Sequence, residues 1–354
     1  MPNRLDSREF VLANDPKGLM AQAESFPAQC REALSLCGDV TLAAELRGKS
    51  NVVVCGMGGS AIGGDFLRPL FEAFAAVPLV VCRDYELPAF AGNDTLLIAC
   101  SYSGNTEETL SAVRQGIKRG CSIVGVTSGG ELSEICRQHN FPFVRVPGGK
   151  PPRMSLGYLF IPLVFIAQTL GYIPAQNTDA AFAELDRCVE RWGQERPLAT
   201  NAAKTLAGYL FGRVPLIYGL GSWQGVVASR WKGQINENAK VMAFAHAFPE
   251  LNHNEIMGWT LANRQNVAHW ATIFLESGEE STRMQTRARV TRELIREQSE
   301  TFTVTAHGED LLSQMLSLTF CGDFVSLYLA ALNGVDPENI DSISTLKKSL
   351  AELS

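Results

Sequence analysis

Histidine is scarce in this chain of 354 residues, with only five, and no cysteine has another three positions away. Structural zinc sites draw on such pairs, so no metal site is expected. The nine cysteines (30, 37, 55, 82, 100, 121, 136, 188 and 321) are odd in number and scattered. Cys55, Cys82, Cys100 and Cys121 lie in or beside apolar runs, and they read as small buried residues in a reducing cytoplasm. Basic charge is in deficit: 31 Lys and Arg against 37 Asp and Glu give a formal charge of −6. That balance lacks the basic footprint of a nucleic-acid binder. No unbroken apolar run reaches the roughly 18 residues of a membrane span. Residues 1–20 lack the apolar core of a signal peptide. Neither nucleic acid nor membrane is an expected partner, and the expected location is the cytoplasm.

What is present is an ordinary globular composition, 46% hydrophobic and 19% charged. At roughly 100–200 residues per domain, the length favours two domains. Residues 17–48 are amphipathic and helical, interrupted at Pro27 and Gly38. Short apolar runs at Asn51–Cys55, Leu79–Cys82, Thr95–Cys100, Cys121–Val126 and Phe141–Val146 read as buried strands with helices between them. Met154–Leu170 is almost wholly apolar and reads as a buried helix. After a polar helical stretch the alternation resumes. Val214–Tyr218, Lys240–His246, His269–Leu275 and Thr301–Thr305 read as strands, and 223–239, 281–297 and 309–333 as helices. Gly56-Met-Gly-Gly-Ser60 and Gly219-Leu-Gly-Ser222 each follow a first strand, which marks a degenerate internal repeat. The predicted fold is α/β: two doubly wound, flavodoxin-like parallel-sheet domains with a C-terminal helix. The predicted segments are N-terminal helices (1–48), a first domain (49–172), a helical connector (173–200), a second domain (201–335) and a tail (336–354).

Ligands of open parallel sheets bind beyond the C-terminal strand ends, where both glycine-rich turns fall. Ser101-Tyr-Ser-Gly-Asn-Thr106 places hydroxyls and a glycine between a strand and a helix. A helix N-terminus offers unpaired N–H groups and the positive dipole end, so this composition suits a phosphate held without cations. Glu107 and Glu108 must then point away from it. The plain alternative is a helix cap, since Ser, Asn and Thr are common caps. Gly56-x-Gly-x-x-Ala61 also fits part of a dinucleotide fingerprint, with Asp84 as the acidic partner, but that pattern alone is weak.

Together, G-M-G-G-S-A and S-Y-S-G-N-T about 40 residues later resemble the sugar isomerase (SIS) domain. The whole chain is similar to the bifunctional phosphoglucose/phosphomannose isomerases through Pro151-Pro-Arg-Met-Ser155, Asn236-Glu-Asn-Ala-Lys240, Asn252-His-Asn-Glu-Ile256 and Ile343-x-x-Leu-Lys347. The resemblance implies two SIS domains, a homodimer, and reversible isomerisation of glucose 6-phosphate and mannose 6-phosphate with fructose 6-phosphate. It implies no cofactor and no metal. By motif match Ser101, Ser103 and Thr106 hold phosphate, with Gly59 and Ser60 nearby. Arg153 matches the active-site arginine, Glu237 the base, His253 the ring-opening histidine, contributed across the dimer, and Lys347 the C-terminal lysine.

The chemistry calls for the same residue types. Moving a carbonyl between adjacent carbons needs one base that removes a proton and returns it next door through an enediol, which a carboxylate can do. A fixed cation stabilises charge developing on the substrate oxygens. Ring opening needs a group that titrates near neutrality, as histidine does. Each residue also has a plainer reading: a solvated helical Glu237, a surface ion pair for Arg153, a decorative loop His253, a helix-end Lys347. His246 is the in-sequence rival of His253, in an apolar strand. Glu338 stands where the family commonly carries threonine, which bears on mannose 6-phosphate more than on glucose 6-phosphate. A non-catalytic sensor of sugar phosphates would need the serines but not Glu237, Arg153, His253 and Lys347 together.

Overall fold

A computed structural model of the chain describes residues 2–265 and 269–352. Among these, nine strands form two separate sheets, parallel throughout. The first contains β1 (Asn51–Cys55), β2 (Leu79–Cys82), β3 (Thr95–Ser101), β4 (Ser122–Thr127) and β5 (Phe143–Arg145), in the order β2-β1-β3-β4-β5. The second contains β6 (Val214–Gly219), β7 (Phe244–Ala247), β8 (Trp270–Glu276) and β9 (Ser299–Thr305), in the order β7-β6-β8-β9. In both, the first strand lies between the second and the third. That is the doubly wound, flavodoxin-like order, repeated as the glycine turns foretold.

Packing divides the chain into two units. One comprises Ser25–Leu185 and Gly308–Met315; the other comprises Met1–Glu24, Asp186–His307 and Leu316–Ser354.

In the first-sheet unit every residue of β3 is buried, as a parallel strand covered on both faces requires. Val53, Leu97, Ala99, Val113, Ile123 and Leu132 belong to its core. The helix Leu156–Thr169 is apolar all round, and eleven of its fourteen residues are buried. Phe160 meets Phe66 of the helix Gly59–Phe74 with ring centroids 5.6 Å apart. The buried amide of Gln29, on the helix Phe26–Cys37, donates to Met154 O at 2.9 Å and accepts from Gly157 N at 2.8 Å. One side chain thus fixes the turn that precedes the apolar helix.

In the second-sheet unit Leu216, Tyr218, Phe248, Phe274 and Ile295 form part of the core. From Leu316 onward the helix Leu311–Asn333 packs into this unit. By length and composition it could cross a membrane, yet its apolar window is entirely buried. Buried polar residues Ser317, Thr319, Asp323 and Ser326 interrupt it, which is why no unbroken apolar run stands out in the sequence. Burial pushes the Asp323 carboxyl up from the usual carboxylate range, against the pull of Arg230 and Gln234.

Two elements differ from expectation. The strand expected from Lys240 begins only at Phe244, because Lys240 adopts a left-handed backbone at φ 58. The helix expected to run through 239 is α-helical only over Ser222–Gln234 and continues as a π-helical turn, Ile235–Ala239. All nine cysteines are buried and free.

Candidate functional site

In the first-sheet unit the strand order reverses between β1 and β3, so the loops after these two strands flank a crevice of the kind where ligands bind. The loops are stitched together: Tyr102 N donates to Ser60 Oγ at 3.0 Å. Ser101 lies fully buried beneath the second loop. Its Oγ accepts from Gly104 N at 3.1 Å and Thr106 N at 3.4 Å, and it pairs with Thr106 Oγ1 at 2.8 Å. Ser103 is exposed, and its Oγ accepts from Asn105 N at 3.2 Å. Gly104 has φ +75, and a Cβ there would sit 1.8 Å from Gly129 O, so the loop needs glycine to seat against the turn after β4.

A plain helix cap would give Thr106 a side-chain capping bond. Thr106 occupies the N-cap position of the helix Glu107–Lys118, but its side chain makes no capping bond. The helix Gly59–Phe74, opening at the first loop, also starts without a side-chain cap, whereas Asn201 and Ser281 cap theirs. Two helix N-termini therefore open on one crevice without capping side chains, an arrangement suited to an anion. Glu107 accepts from the Tyr85 hydroxyl at 3.4 Å. The Glu108 carboxylate, burial and Glu107 raise the Tyr85 phenol above its ordinary range. Asp84, the acidic residue of the dinucleotide reading, accepts from Tyr85 N at 2.7 Å.

Arg153 joins this group. A Cβ on Gly59 would meet Pro152 at 2.9 Å, so the β1 loop lies directly against the turn Pro152–Met154. Arg153 in that turn is 5% exposed. The first-sheet unit therefore brings together Gly59, Ser60, Ser101, Ser103, Thr106 and the Arg153 turn.

Glu237 belongs to the second-sheet unit. It is half-buried in the π-helical turn and lines a cavity of about 640 Å³ with Asn236, Lys240, Asp336, Asn339 and Asp341. Side chains hold the turn on several sides. Asn238 Nδ2 donates to Ser326 Oγ at 2.9 Å, Asn333 Nδ2 to Ala239 O at 2.9 Å, and Ala243 N to Asn236 Oδ1 at 2.9 Å. Upstream on the same helix, Arg230 Nη2 lies 3.2 Å from both Asp323 oxygens, and Gln234 Nε2 donates to Asp323 Oδ1 at 2.8 Å. Glu338 donates its N–H to Asp336 Oδ1 at 2.8 Å and does not line the cavity.

His253 lies elsewhere in this unit. It is exposed, follows the turn Glu250–Asn252, and does not line the Glu237 cavity. His246 on β7 is half-buried, and its Nδ1 accepts from Ala247 N at 2.7 Å. Lys347 falls on the helix Asp341–Ala351, and its side chain lies outside the described residues. The motif reading passed over Lys240 and Asp336, whose signal was their place in or beside quoted motifs. It also passed over a buried cluster in which Tyr218 donates to Glu255 Oε1 at 2.5 Å and accepts from Trp259 Nε1 at 3.1 Å. Burial, then the Glu255 carboxylate, push that phenol far above its usual range. Among the described residues, no group of three or more His, Cys, Asp or Glu side chains could hold a metal ion.

Known proteins resemble this chain in sequence and in fold. The SIS domain matches residues 45–141, and the bacterial phospho-glucose isomerase C-terminal SIS domain matches residues 199–350. A bifunctional phosphoglucose/phosphomannose isomerase of Caldicellulosiruptor bescii is 38% identical over 332 residues, 93% of this chain and 98% of the relative. One from Thermoplasma acidophilum is 35% identical over 302 residues, 85% and 90% of the two chains. A crystal structure of a hypothetical protein from Thermus thermophilus shares the fold with a TM-score of 0.76 at 16% identity, covering 99% of this chain and 94% of that one.

Proposed function

The chain belongs to the bifunctional phosphoglucose/phosphomannose isomerase family, and from that premise we propose that it interconverts glucose 6-phosphate and mannose 6-phosphate with fructose 6-phosphate. One observation carries the reading: two helix N-termini without capping side chains and a hydroxyl-rich loop meet at the β1/β3 crevice. In this proposal the phosphate takes hydrogen bonds from Ser103, Thr106 and the backbone near Gly59 and Ser60, with Ser101 holding the loop and contributing its hydroxyl. Neutral donors at helix N-termini grip a dianion while leaving the positive charge of Arg153 for the reacting end.

Glu237 takes the proton from C2 of the aldose and returns it to C1 through a cis-enediol, and the reverse for the ketose. Arg153 stabilises the charge that builds on the substrate oxygens as the proton leaves. His253 serves ring opening, moving a proton between the C1 hydroxyl and the ring oxygen, and Lys347 assists from the terminal helix. No metal or cofactor takes part. The limits 49–172 and 201–335 for the two repeats belong to the same proposal, supported by the two domain matches. So does a cytoplasmic homodimer in which His253 serves the partner's site. The exposure of His253, and of the large apolar residues Met242, Phe244, Met257 and Leu261 in the same stretch, supports that arrangement.

The test is a coupled assay of the purified protein with each hexose 6-phosphate, with and without EDTA. Turnover of glucose 6-phosphate that survives chelation is the expected result; dependence on added zinc contradicts the proposal. Glu237→Gln should abolish turnover, by at least about 10²-fold, while calorimetry shows fructose 6-phosphate still binding.

A further inference from the structure

Glycine commonly follows a helix in left-handed backbone, yet Lys240 takes that place after the π-helical turn, at φ 58. Among the described non-glycine residues only Asn140 shares a positive φ. Asparagine visits that region readily, and lysine does not. Such a residue persists where its surroundings and its side chain outweigh the backbone cost. The Lys240 ammonium donates to the carbonyl of Glu237 at 2.5 Å and to that of Pro337 at 3.4 Å. One contact is on the turn that carries Glu237. The other is next to Asp336, which lines the same cavity. Lys240 is also the sole cation among the described residues lining that cavity, facing Glu237, Asp336 and Asp341.

We propose that Lys240 is a positioning residue for the isomerisation: by tying the Glu237 carbonyl to the Pro337 carbonyl, its ammonium fixes where the Glu237 carboxylate stands in the cavity. The inference rests on reading Glu237 as the base. The π-helical turn explains the need. Such turns occur at functional sites, and three tethers hold this one at Asn236, Asn238 and Ala239. A lysine that merely satisfied helix-end carbonyls would affect stability alone.

Lys240→Asn and Lys240→Gly both suit left-handed backbone, so they remove the ammonium without adding strain; Lys240→Arg keeps a cation. With folding checked by melting temperature, kcat should fall about 10–100-fold in the Asn and Gly variants. KM for fructose 6-phosphate should stay within about twofold, as expected for an effect on geometry rather than on binding. Lys240→Arg should lie closer to wild type than Lys240→Asn. If the Gly variant does not fold, the Asn and Arg variants decide. Wild-type kcat in Lys240→Asn, a change confined to KM, or an Arg variant no better than the Asn variant would overturn the inference. Glu237→Gln measured in parallel separates the two readings: if it is inactive while Lys240→Asn is normal, only the role of Lys240 fails; if it is active, the base assignment fails with it.

Discussion

Ser101 shows how much a single side chain organises. Its buried hydroxyl serves two backbone N–H groups and Thr106 at once, so it shapes the loop as well as lending it polarity. Ser101→Ala leaves those donors without their acceptor and should cost about 1–3 kcal/mol. In kinetic assays the same variant should raise KM for every hexose 6-phosphate more than it lowers kcat, since the phosphate does not react. Gly104→Ala should be worse. Its φ of +75 and the 1.8 Å approach to Gly129 O leave no room for a methyl group, and a loss of at least about 2 kcal/mol in urea unfolding is expected. Residues of this kind were legible because composition and chain position point to one chemistry. For Lys240 and Asp336 the motifs mark only a place in the chain: the role of one depends on a backbone angle and that of the other on a cavity shared with residues a hundred positions away.

At the scale of elements, the helix Ser222–Gln234 with its π-helical extension and the helix Leu311–Asn333 are joined by a buried polar ladder. Arg230, Gln234 and Asn238 on one side meet Asp323 and Ser326 on the other. Removing Asp323 alone takes a carboxylate away from a buried guanidinium, so Asp323→Ala should cost about 3–5 kcal/mol. Replacing both members, Arg230→Met with Asp323→Leu, should cost much less, and a double-mutant cycle by chemical denaturation measures the difference. Eight of the nine strands lie within about two residues of where the sequence places them, because a buried parallel strand is a continuous apolar run. The exception is β7, whose start moved from Lys240 to Phe244. Hydrophobic pattern does not reveal a π-helical turn or a left-handed lysine, since both are fixed by side-chain tethers from distant parts of the chain.

At the scale of the molecule, the internal repeat is visible in both sheets, which share one strand order. The crevice-flanking loops have diverged: after β3 comes Tyr-Ser-Gly-Asn-Thr, and after β8 comes Ser-Gly-Glu-Glu-Ser. The second loop carries two carboxylates where the first carries none, and Glu280 accepts from the backbone N–H groups of Ser277 and Gly278. Burial also raises individual thiols. It pushes Cys100 up to about 12 and Cys136 up to about 11. At pH 8 these groups stay protonated and shielded, so a thiol reagent should label almost none of the nine cysteines in the native protein. All nine should react after unfolding in guanidinium.

The most direct measurement is the crystal structure of the protein soaked in fructose 6-phosphate. The phosphate should lie against the loop 102–106 and the start of the helix Gly59–Phe74, within hydrogen-bonding distance of Ser103 and Thr106. A phosphate seated at the β6 and β8 loops instead, or away from both crevices, would contradict the account.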